Sequence, residues 1–128
     1  MLKLSFIAIG GAVGSLLRYG MSGLTYKYMD GILPWGTLMV NLIGCFMIGF
    51  LWQFFEMFII SPNTRLLIFV GMLGAFTTFS TFGLETFNLI RESEIKFAML
   101  NVLGSNILGL LMVYCGFITF RSLIGIFK

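Results

Sequence analysis

Charged side chains divide this chain unevenly. They stand at Lys3, Arg18, Lys27, Asp30, Glu56, Arg65, Glu85, Arg91, Glu92, Glu94, Lys96, Arg121 and Lys128. Between them run four long apolar stretches, each on the order of twenty residues or more, the length a helix needs to cross hydrocarbon. The pattern predicts spans over Leu4–Tyr26, Gly36–Ile60, Leu66–Ile90 and Phe97–Phe120. Pro34 and Trp35 precede the second span. Ser61 and Pro62 form an N-cap and a first-turn proline ahead of the third, and Arg91–Lys96 reads as a charged turn before the fourth.

Composition makes lipid the solvent for most of the chain. Hydrophobic residues are 59% of the total, charged residues only 10%, and the mean hydropathy is +1.02. A soluble domain carries about a quarter of its residues as charge, and this sequence has no means of covering itself in that way. The first apolar run continues past Ala12-Val13-Gly14 as the rest of a span, so it reads as a membrane segment rather than a cleaved signal peptide. Residues 1–128 read as a single transmembrane domain, without linker, repeat or low-complexity tract. The expected fold class is therefore all-α and integral to the membrane, multi-pass, in the cell membrane.

The net charge of +3 comes from scattered flanking residues and not from a basic patch, which argues against nucleic acid as a partner. Histidine is absent, removing the commonest general base and metal ligand. Cys45 and Cys115 both fall within spans and read as buried packing thiols. The basic residues show no bias between the two sides. Lys3, Arg65, Arg121 and Lys128 fall on one; Lys27, Arg91 and Lys96 fall on the other, with Arg18 nearer to it. Membrane proteins ordinarily carry an excess of Lys and Arg on the cytoplasmic side. Three readings stand: one or two spans are misplaced, the count is simply noise, or the chain inserts both ways and pairs with an inverted copy of itself. Glycines such as Gly10 and Gly14, Gly44 and Gly49, Gly71 and Gly74, and Gly109 and Gly116 mark narrow points where helices approach closely.

Polar residues within the spans carry the chemistry, because each is costly in lipid. They are Arg18, Asn41, Thr77, Thr78, Ser80, Thr81, Glu85, Asn101, Ser105 and Asn106. Arg18 can snorkel to the interface, Glu85 can serve a structural pairing, and hydroxyls commonly bond to the carbonyl one turn back. Asn41 needs partners on another helix or a solvated cavity. The third span holds the densest cluster, Gly71-Met72-Leu73-Gly74-Ala75-Phe76-Thr77-Thr78-Phe79-Ser80-Thr81-Phe82, with Glu85 following. Two glycines and four hydroxyls suit a helix broken within the membrane, of the sort that exposes carbonyls to cations; the alternative is a continuous helix packed through its glycines. Phe76, Phe79 and Phe82 share a face. Such spacing fits lipid-facing or core packing; the alternation with hydroxyls adds a second reading, in which electropositive ring edges beside Ser and Thr donors help to replace the water around a small anion.

These residues resemble a known family, the Fluc (CrcB) fluoride channels, over essentially the whole chain. The motifs are Gly10-Gly11-x-x-Gly14-x-x-x-Arg18-Tyr19, Gly36-Thr37-Leu38-x-Val40-Asn41-x-x-Gly44, and the third-span run from Gly71 to Glu85. The fourth span, around Ser105 and Gly109, is less distinctive and departs from the family at Asn101, Gly109 and Val113. The resemblance implies an antiparallel, dual-topology homodimer with two pores that carry fluoride passively out of the cell. It implies that Phe79 and Phe82 present ring edges to the anion and that Asn41 donates a hydrogen bond. Ser80 and Thr81 would continue the polar track towards Glu85, with Ser105 in a vestibule and Arg18 near a pore mouth. It also implies a structural sodium ion at the dimer interface, held by the main-chain carbonyls of Gly74 and Thr77.

The physics of fluoride fits such a protein. Hydrofluoric acid is weak, so its neutral form enters from acidic surroundings and dissociates inside. An interior-negative potential then drives the anion out with roughly 2.3 kcal/mol per 100 mV. A passive channel suffices and no enzyme is required. Two other classes share parts of the pattern. A proton-coupled small multidrug transporter would want a carboxylate deep in the first span, where Arg18 stands instead. A non-transporting assembly subunit would leave Asn41 and the hydroxyl-rich third span without purpose.

Overall fold

The computed structural model describes residues 2–126; Lys128, grouped above with Lys3, Arg65 and Arg121, lies outside the described residues. Within them the chain is helical throughout. Helix α1 is Leu2–Tyr28 and α2 is Trp35–Met57. The third crossing is composite: α3 (Pro62–Arg65), a π-helical segment (Leu66–Leu73), α4 (Gly74–Phe76) and α5 (Phe79–Arg91). Helix α6 is Ile95–Ile126. Four stretches, Leu2–Tyr28, Trp35–Met57, Pro62–Arg91 and Ile95–Ile126, are long and apolar enough to span a membrane.

The helices overrun the hydropathy boundaries at most ends because the two limits have different causes. Apolar composition marks where hydrocarbon ends, whereas backbone hydrogen bonding continues into the interface until something breaks it. The third crossing begins at Pro62 rather than Leu66, since Ser61 caps it: its Oγ accepts from the Thr64 amide at 3.1 Å. The second ends at Met57 rather than Ile60. Phe58 is extended there, and Ser61 (ψ 144°) is held in that region by the following proline. The turn before α6 contracts to Glu92–Glu94, with Ser93 at φ 63°.

Packing is set by glycines that admit backbone. A Cβ on Gly10 would stand 2.2 Å from the Leu67 carbonyl oxygen, and one on Gly14 2.1 Å from that of Met72, so α1 lies directly on the π-helical segment. Gly49 meets the Val113 carbonyl and Gly116 the Phe46 carbonyl in the same manner, which joins α2 to α6. Beyond that seam Phe120 sets its ring edge-on to Phe50 and Phe54, with centroids 5.2 and 5.7 Å apart. The third crossing changes neighbours midway. Its π-helical part and α4 pack on α1, whereas α5 packs on α6, where Leu89 and Ala98 are buried and the Asn101 amide donates to Thr86 Oγ1 at 2.9 Å.

Leu16, Leu110 and Ile126 are exposed by 72, 75 and 76%, which only lipid or another apolar surface can accommodate. Of the two thiols expected to be buried, Cys45 is partly so, but Cys115 is exposed.

Candidate functional site

The centre of the site is the interruption between α4 and α5. Thr77 (ψ 157°) and Thr78 (φ −147°, ψ 118°) leave helical geometry, so the Thr78 peptide groups need partners from outside the helix. Asn41 on α2 supplies both. Its Oδ1 accepts from the Thr78 amide at 2.8 Å, and its Nδ2 donates to the Thr78 carbonyl at 3.0 Å. Helix α2 comes close enough because Gly44, one turn on, leaves room for the Thr77 methyl: a Cβ there would lie 2.2 Å from Thr77 Cγ2. Helix α5 then restarts with Thr78 as its cap, its Oγ1 accepting from the Thr81 amide at 3.3 Å and donating to Thr81 Oγ1 at 2.9 Å.

These bonds have a second consequence. In an unbroken helix the carbonyl of Gly74 would accept from the Thr78 amide and that of Thr77 from the Thr81 amide. Both amides are engaged elsewhere, by Asn41 Oδ1 and by Thr78 Oγ1. Gly74 is exposed, and a Cβ on it would meet only the Phe69 carbonyl oxygen, at 3.6 Å. Two hard oxygen donors thus lose their helical partners, and around Gly74 the backbone is exposed among the described residues.

Two cavities flank the interruption, and Thr78 lines both. One, of about 280 Å³, is bounded by Asn41, Gly44, Cys45, Ile48, Leu73, Thr77, Thr78 and Phe79. The other, of about 230 Å³, is bounded by Arg18, Tyr19, Ser22, Tyr26, Thr37, Val40, Thr78, Thr81 and Glu85. The second is rich in hydroxyl and guanidinium donors, a lining that suits a small anion. Its one carboxylate is tied back: Glu85 Oε1 accepts from Thr37 Oγ1 at 2.8 Å and from the Tyr26 hydroxyl at 3.1 Å. Glu85 Oε2 is buried and has no partner among the described residues.

The structure therefore brings Arg18, Thr81 and Glu85 to one cavity and Asn41, Thr77 and Phe79 to the other. Phe82 is half-buried outside both; its ring lies 5.5 Å from that of Phe79, which is itself 83% exposed. Ser80 is exposed, with its hydroxyl 3.4 Å from that of Thr78. Ser105 lies apart on α6, its Oγ buried and without a partner among the described residues. Asn101, one of the family departures, is committed to Thr86. Tyr26 and Thr37 join the site without a signal in their local sequence. Thr37 stood in a motif but sits at a helix start, where a hydroxyl reads as an ordinary cap, and Tyr26 reads as an interfacial aromatic at the end of a span.

Comparison with known proteins identifies the family. The profile of the family described as CrcB-like protein, Camphor Resistance (CrcB), matches residues 5–117. The chain is 48% identical over 128 residues, the full length of both, to a Parabacteroides distasonis protein named fluoride-specific ion channel FluC. Proteins of the same name are similar in Salinibacter ruber, 47% identical over 116 residues (91% of this chain and 87% of the relative), and in Magnetococcus marinus, 42% identical over 121 residues (94% and 98%).

Proposed function

The chain belongs to the CrcB family, and from that premise we propose that it is a fluoride channel of the cell membrane, a passive multi-pass protein and not an enzyme. The observation that carries this reading is full-length similarity to fluoride-specific channels, joined to a donor-lined cavity beside a broken helix. An anion entering the polar cavity meets Arg18 and the hydroxyls of Tyr19 and Thr81, which replace its water. Beyond Thr78, the amides of Phe79 and Ser80 lie in the first turn of α5, at the helix end that favours negative charge. The exposed ring of Phe79, with Phe82 behind it, offers electropositive edges next along the path.

The working unit under this reading is an antiparallel homodimer with two pores. What supports it is the even distribution of basic residues on the two sides and an uncovered face around Gly74 and Phe79. A sodium ion fits that face. The carbonyls of Gly74 and Thr77 are hard oxygen donors whose helical partners are engaged elsewhere, and a two-fold axis would double them into an all-oxygen cage. When bound, the ion would neutralise carbonyls that no water can reach at that depth.

Reconstitution tests the function directly. Proteoliposomes loaded with fluoride should release it to an external electrode once a potassium diffusion potential is set, and should retain chloride. Vesicles that keep their fluoride, with the protein inserted and folded, would refute the assignment.

A further inference from the structure

Glu85 presents a problem for any anion path through the polar cavity. A carboxylate within a cavity of about 230 Å³ repels the anion, and it shares that cavity with Arg18, the cation that attracts it. We propose that Tyr26 is a positioning residue that holds Glu85 back from the path, and that Gly36 is the seat that places it there. The proposal rests on the channel reading above.

The geometry runs through one ring. Tyr26, near the end of α1, reaches across to the first turn of α2 and sets one side of its ring against Gly36: a Cβ on Gly36 would stand 2.3 Å from Tyr26 Cε2 and 2.7 Å from Cζ. From that seat its hydroxyl donates to Glu85 Oε1, the same oxygen that takes the Thr37 hydroxyl. Two donors from two helices on one oxygen fix the carboxylate's direction better than one, and hydrogen bonds to a charged acceptor are the strong kind. Without Tyr26, Thr37 alone holds Glu85. The carboxylate is then free to swing across the cavity towards Arg18, cancelling the attracting charge and occupying the way through. Gly36 matters for its lack of a side chain: the neighbouring atoms belong to a movable ring, so a methyl there displaces Tyr26 rather than disrupting the fold.

Fluoride efflux from proteoliposomes, followed by electrode, tests this with Tyr26→Phe, Gly36→Ala, their combination, Glu85→Gln, and Tyr26→Phe with Glu85→Gln. Tyr26→Phe keeps the ring on its seat and removes only the hydroxyl. The expected result is efflux slowed about tenfold in Tyr26→Phe and in Gly36→Ala, the worth of one hydrogen bond to a charged group. The combination should be no slower than either alone, because both remove the same bond. In the Glu85→Gln background the Tyr26 substitution should change the rate by less than about twofold, since an amide that swings free carries no charge. A Tyr26→Phe protein that conducts at the wild-type rate overturns the proposal. So does equal slowing in both Glu85 backgrounds, or multiplicative loss in the Tyr26 and Gly36 combination, each of which marks a merely structural tyrosine. Wild-type protein that releases no fluoride overturns the channel reading itself, and this proposal with it.

Discussion

Replacing Asn41 by alanine removes two hydrogen bonds at once, the one its Oδ1 accepts from the Thr78 amide at 2.8 Å and the one its Nδ2 donates to the Thr78 carbonyl at 3.0 Å. Thr78 is only 8% exposed, so neither group can turn to water. An orphaned buried polar group costs about 1–3 kcal/mol, and the pair together about 2–4 kcal/mol, the carbonyl being the cheaper of the two to strand. Cys45→Ala is the control. It lies one turn further along α2 and lines the same cavity, but it carries no polar bond among the described residues, and its loss should stay below about 1 kcal/mol. Asn41→Asp should cost at least as much as Asn41→Ala: one oxygen still accepts from the Thr78 amide, but the other sets a carboxylate against the Thr78 carbonyl where a donor stood. Thermal unfolding in detergent gives the ranking, and hydrogen exchange at the Thr78 amide gives the cause. Should Asn41→Ala melt with Cys45→Ala, and the Thr78 amide remain protected in it, Asn41 would not be what holds the break.

Phe79→Ile and Phe82→Ile keep bulk and apolarity but lose the polarised ring edge, so fluoride flux should fall roughly tenfold while both proteins purify at normal yield; normal flux in both would place the pore on another face. Sodium should raise the unfolding temperature more than potassium or lithium does. Thr77→Ser should preserve that difference, the proposed ligand being backbone, and Gly74→Val should abolish it without an intrachain clash, as the nearest atom to a new Cβ is the Phe69 oxygen at 3.6 Å. Single cysteines placed near Lys3 and near the C-terminus should each be labelled from both sides of the membrane in similar fractions, and one-sided labelling of functional protein would exclude dual topology.

Part of this site was legible from local chemistry alone. Two glycines and four hydroxyls in one apolar span indicate where a helix can come apart, and an amide in the middle of the neighbouring span indicates that something polar must meet it. The capping of the third crossing by Ser61 follows from the Ser-Pro pair. Tyr26 and Thr37 were not legible, because their role depends on Glu85, which is 59 and 48 residues away respectively. Nothing in either local sequence distinguishes a clamp on a distant carboxylate from an interfacial tyrosine or an ordinary helix-start threonine.

By itself the sequence determined the solvent, the number of crossings and their secondary structure. A chain with 10% charge in lipid must satisfy every backbone group internally, and uninterrupted apolar runs can do that only as helices. It determined too that the glycines mark close approach, since a residue without a Cβ has few other uses within a span. Only the tertiary structure decided which approaches those are: Gly10 and Gly14 on the π-helical segment, Gly49 and Gly116 on the seam between α2 and α6, and Gly74 on no other crossing among the described residues. It likewise decided that Cys115 faces outward, that Asn101 answers to Thr86, and that the third crossing leaves α1 for α6 at Thr77 and Thr78. The reason is one of range. Burial and helix formation are settled by neighbours along the chain, whereas a helix face has several partners of equal apolarity in lipid. Only close-packed shape and a few polar bonds choose among them.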